Sequence, residues 1–86
     1  MKRPISGRFR VTLSADWPDT LVESVRESTG AKITSVQGSV IEGRVALEIR
    51  PEDTATAAIK AWVEAGLGVL MKAEKPPKVE ILETRG

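Results

Sequence analysis

The segment Arg44–Arg50, RVALEIR, sets Val45, Leu47 and Ile49 on one side of an extended chain and Arg44, Glu48 and Arg50 on the other. Arg8–Ser14, RFRVTLS, repeats the pattern, with Phe9, Val11 and Leu13 opposed to Arg8, Arg10 and Thr12. Alternation of period two marks a strand with one face buried and one face in water. Two such strands need an apolar surface to pack against. The rest of the chain must supply it.

Two amphipathic stretches do so. After SADWPD (Ser14–Asp19), Trp17, Leu21 and Val25 recur at spacing four with Val22 beside them, giving one apolar helical stripe. Asp16 is expected to cap this helix, Pro18 to sit in its first turn and Gly30 to end it. A second helix is predicted after the acidic EDT, with Ala55, Ala58, Ile59, Trp62 and Val63 as its buried face and Gly66 as its stop. Between the helices, AKITSVQGSVI reads as a strand with a bulge or bend at Gly38, and Glu42–Gly43 as the tight turn into RVALEIR. LGVLMKA, Leu67–Ala73, is predicted as a fourth strand. EKPPK interrupts any regular element, and VEILE, Val79–Glu83, is expected as a fifth, C-terminal strand.

This order is βαββαβ, the split βαβ of the α+β, ferredoxin-like class. It predicts two helices on one face of a four-stranded antiparallel sheet, with the opposite face open unless something covers it. The expected domain is 1–74, with 75–86 as a Pro-containing linker followed by a C-terminal strand or tail. At 86 residues there is room for one small core, and 41% hydrophobic with 29% charged residues is a globular balance. So small a core often borrows surface from a partner.

Composition removes several chemistries. There is no cysteine and no histidine, so disulfides, thiolate catalysis and the commonest general base and metal ligand are excluded. Thirteen basic and twelve acidic residues leave a net charge of +1, which draws the chain strongly to neither nucleic acid nor a membrane. No apolar run is long enough for membrane insertion, and MKRPISGRFR lacks the apolar segment of a secretory signal. A cytoplasmic protein is expected.

Asp16 and Asp19 invite an acid–base or metal reading, but a cap and an acidic first turn explain both. Trp17 is read as a lid on the helix–sheet core, and Trp62 as core packing. The open sheet face should show Arg8, Arg10, Arg44, Glu48 and Arg50, either solvated or as a dimer contact. Nucleic-acid binding is disfavoured, because no aromatic side chain lies on that face for bases to stack on. No glycine-rich phosphate loop and no nucleophile–base pair is present. The expected protein is not an enzyme, and no cofactor or metal is implied.

The glycines and apolar positions together resemble the NIL domain, a relative of the ACT domains. The matching residues are Gly30, Ala31, Ile33 and Gly38 in the first half, then Gly43, Leu47, Ile49 and Gly66 in the second. The likeness runs from about Arg10 to Met71. It implies a regulatory module that binds a small molecule, an amino acid in the transporter-linked members, and acts as a homodimer. ACT-like domains hold ligands at the first loop and the dimer seam. That places ligand contacts at Ala15, Asp16 and Trp17, with Ile33 and Val36 of the second strand facing them. The alternative is a protein-association module that uses the exposed sheet face or the C-terminal strand.

Overall fold

A computed structural model describes all residues, Met1–Gly86. The chain runs through β1 (Arg3–Thr12), α1 (Asp19–Thr29), β2 (Lys32–Gln37), β3 (Val40–Ile49), α2 (Ala55–Leu67), a 3₁₀ turn (Gly68–Lys72) and β4 (Lys78–Arg85). The four strands form one sheet in the order β2-β3-β1-β4, and every neighbouring pair is antiparallel. It is an α+β arrangement with the two alternating strands at the centre, paired from Arg3 opposite Ile49 to Thr12 opposite Val40.

Alternation decides which face is buried. Ile5, Phe9 and Val11 of β1 and Ile41, Val45 and Ile49 of β3 join Val22 and Val25 of α1 and Ile59, Val63 and Leu67 of α2 in a single core. Phe9, Val11, Ile41, Ile59 and Val63 are fully enclosed. The helices touch each other over this side of the sheet. The intervening residues of β1 and β3 point to a face that carries no helix. No helix is long and apolar enough to cross a membrane.

Several expectations are corrected. The hairpin turn is Gly38–Ser39, not Glu42–Gly43. Gly38 takes φ +58 and Ser39 does not have positive φ, the pattern of a two-residue turn with glycine at its first central position. Glu42 and Gly43 therefore lie inside β3. Leu67–Ala73 is not a strand: α2 runs on to Leu67, past the Gly66 stop, and Gly68–Lys72 continue as a 3₁₀ turn. A short apolar run satisfies either periodicity. Here Leu67 enters the core at helical spacing from Val63, and Leu70 and Met71 pack beside it.

The fourth strand is the C-terminal segment itself. Lys78–Arg85 lies along the free edge of β1, with Val79 opposite Val11 and Ile81 opposite Phe9, so the sheet has no fifth strand. The helix starts also differ. Pro18, not Asp16, is the N-cap of α1, and no side chain caps that helix. The proline ring disfavours helical geometry at Trp17, so the first turn waits until Asp19 and leaves Asp16 too far upstream. In α2 the cap is Thr54, whose hydroxyl accepts from the Ala57 N–H at 3.4 Å.

Candidate functional site: a cationic notch on the open sheet face

The sites anticipated from sequence are distributed unevenly. Trp17 is 6% exposed; its indole N–H donates to the Val11 carbonyl at 3.3 Å, and its backbone N–H donates to Gly38 at 2.9 Å. It is a strut between the first loop and the β2–β3 turn. Ala15 and Asp16 are exposed beside it. Ile33 is half-buried, packed against the core, and Val36 is 44% exposed opposite Ile41. None of these five residues lines a principal surface depression.

One of these depressions brings charged side chains together. Arg8 lies between Arg44 on β3 and Glu83 on β4, and Lys32 of β2 is opposite Arg44. One row across all four strands is thus Lys32, Arg44, Arg8, Glu83: three cations and one carboxylate. Ser6 and Arg85 are paired in the neighbouring row. Ser6, Gly7, Arg8, Arg44, Glu83 and Arg85 enclose a notch of about 140 Å³.

A β-bulge makes this possible. From Val79 to Ile81 the β4 register is regular, but Leu82 has no partner and Glu83 follows opposite Arg8. Without the extra residue, Leu82 would stand beside Arg8 and Glu83 would turn toward α2. Bulges re-aim side chains in this way.

Within the notch Glu83 serves two guanidinium groups, Arg8 at 3.6 Å and Arg85 at 3.3 Å. Arg10 is neutralised by Glu42, which takes both an ion pair and an Nε–H hydrogen bond from it at 3.0 Å. Arg44 has no ionic partner, and neither does Glu48 further along β3. Arg50 is not on the sheet face. β3 ends at Ile49 ahead of Pro51, and Arg50 sits in the following turn near Glu52 and Asp53. Guanidinium groups held on rigid strands suit a planar carboxylate, which they can bind with two parallel hydrogen bonds. No group of three acidic side chains is close enough together to hold a metal ion.

Sequence reasoning anticipated Arg8 and Arg44 but missed Ser6, Glu83 and Arg85. VEILE is legible as a strand, but the bulge that turns Glu83 and Arg85 outward leaves no residue signature. No family model, no curated protein and no solved structure matches this chain.

Proposed function

We propose that the chain is a ferredoxin-like domain of the ACT/NIL type. In this reading it is non-enzymatic, needs no cofactor and acts in the cytoplasm as a dimer. It binds a small carboxylate-bearing ligand of the amino-acid class in the notch of the open sheet face. The strand order β2-β3-β1-β4, fully antiparallel, supports the fold reading, since the split βαβ arrangement places β1 and β3 at the centre. The excess of guanidinium over carboxylate around Glu83 carries the ligand reading. Arg44, free of any ionic partner, and Arg8 receive the ligand carboxylate, while Glu83 accepts from its ammonium group.

Isothermal calorimetry of the full chain against the standard amino acids at low salt tests this. Saturable heat is expected with at least one of them, lost in Arg8→Ala and in Arg44→Ala and kept in Asp16→Ala. Heat that vanishes in Asp16→Ala but survives both arginine variants would move the site to the first loop. Absence of saturable heat with every amino acid would end the ligand reading. A second reading, association with another chain, is favoured by one feature: the backbone of Val45–Ile49 has no strand on its outer side.

A further inference from the structure

β3 has ten residues and β2 only six. Their pairing stops at Lys32 opposite Arg44, where the chain leaves the sheet toward Ala31, Gly30 and α1. From Val45 to Ile49, β3 has β1 on one side and no paired strand on the other. A row of unpaired backbone N–H and C=O groups is a template for another strand, and proteins usually blunt such edges with bulges, prolines, charges or short strands.

The other edges of this sheet are blunted. β2 is short and has a register shift at Thr34. β4 carries the Leu82 bulge, with Lys78 and Arg85 at its ends. The overhang of β1 at Arg3–Ile5 contains Pro4 and is covered by the chain terminus, where Arg3 donates to the Gly86 carbonyl at 3.1 Å. Val45–Ile49 has no proline and no bulge. Beside it lies an apolar groove of about 390 Å³ lined by Ala46, Leu47, Glu48, Ile49, Ala58 and Trp62. Trp62 is 47% exposed, contrary to its expected burial, and lines this groove. Its indole is nevertheless held in place by donation to the Thr29 carbonyl at 2.8 Å.

We propose that Val45–Ile49 pairs antiparallel with the same segment of a second copy of this chain, about a two-fold axis at Leu47. The two four-stranded sheets become one of eight strands. This deepens the dimeric part of the proposed function by naming where the copies meet; it holds whether or not the notch takes a ligand, although Arg44 borders both.

The edge is complementary to itself in this register. Centred on Leu47, Val45 meets Ile49 of the second copy, Leu47 meets Leu47, and all of them face the helix side beside Trp62. On the open face Arg44 lies diagonal to Glu48 of the second copy, within reach of long side chains, and symmetry makes the contact twice. Those two are the β3 charges without a partner inside the monomer. Centring on Ala46 would set Glu48 opposite Arg44, a place Lys32 already fills, and would leave only Val45–Leu47 to pair; centring on Leu47 pairs all of Val45–Ile49, because Arg50, next in line toward Arg44, has already left the strand. Centring on Glu48 would set like charges face to face and bring Pro51 opposite Val45.

Sedimentation equilibrium of the full chain over a wide concentration range tests the proposal, with hydrogen exchange on the same samples. A monomer–dimer equilibrium is expected, with backbone amides in Val45–Ile49 gaining protection as the dimer fills while those at the outer edges of β2 and β4 do not. Arg44→Glu and Glu48→Arg each weaken the dimer about fivefold, since each creates two like-charge diagonals, and the double exchange recovers most of the loss. Both side chains are exposed and unpaired, so circular dichroism should be unchanged. A chain that stays monomeric at every concentration overturns this proposal and the dimeric reading together. A dimer that leaves Val45–Ile49 unprotected, or that ignores both charge reversals, overturns this proposal alone.

Discussion

The ring of Phe9 lies across the backbone of Gly43, its partner on β3: a side-chain carbon at position 43 would come within 2.9 Å of Phe9 Cζ and within 2.9 Å of the Lys32 carbonyl oxygen. Phe9 is the only phenylalanine of the chain and is fully buried. The central strand pair can hold so large a ring because the facing residue has no side chain. Both residues were visible in the sequence, Phe9 as an inward strand residue and Gly43 as a turn. Their contact depends on the hairpin turning at Gly38–Ser39, four residues before the place expected.

Gly43→Ala is therefore an overpacking variant of the core. It is expected to destabilise the fold by about 1–3 kcal/mol, measured by urea denaturation with an unchanged slope. In a Phe9→Leu background the added penalty should shrink but not vanish, because the Lys32 carbonyl remains in the way. Equal penalties in both backgrounds would show that the ring does not set this constraint.

The two helix starts make a second comparison. Thr54 caps α2 through a long hydrogen bond, and Thr54→Ala should cost about 0.5–1 kcal/mol, toward the lower end for such caps. Asp16, two residues upstream of the Pro18 cap and exposed, should change stability by less than about 0.5 kcal/mol when replaced by Ala. Thermal denaturation of the two variants ranks them. A larger loss for Asp16→Ala than for Thr54→Ala would contradict the assignment of Pro18 as an uncapped start.

What was legible in the sequence follows from how local each signal is. RFRVTLS and RVALEIR declare their buried faces by alternation alone, and Gly30 ends α1 in the left-handed conformation, φ +67, as anticipated. Gly38–Ser39 is legible too, because Gly-Ser is a favoured two-residue hairpin pair, a signal that reading Gly38 as a bulge or bend within a longer strand overlooks. Leu67–Met71 was ambiguous in itself. In the fold the edge of β1 is filled by Val79 and Ile81, which leaves no edge there for Leu67–Met71. The notch lay beyond reach for a similar reason. Arg8 and Glu83 are 75 positions apart, and only the pairing of β1 with a bulged β4 brings them together.

The same pairing gives the sharpest test of the architecture. Deleting Pro76–Gly86 would remove what the sequence suggested to be a linker and an added fifth strand or tail, yet it removes one of the four strands of the sheet. β1 would lose its ladder from Ser6 to Thr12, and the core would lose Val79 and Ile81, which pack against it. Each of these two side chains is half-buried, so each contributes somewhat less than the roughly 1.5–3 kcal/mol of a fully buried one. Pro77 is buried as well, and the deletion would uncover Phe9 and Val11 on the edge side of β1. A domain of this size has a total stability of roughly 4–13 kcal/mol, so losses of this order consume most of it. The shortened chain is expected to lack a cooperative urea transition and to show mainly disordered far-ultraviolet circular dichroism. If it instead unfolds cooperatively with the slope of the full chain, β4 is not an integral strand of the sheet. The notch built from Glu83 and Arg85 would then have no foundation.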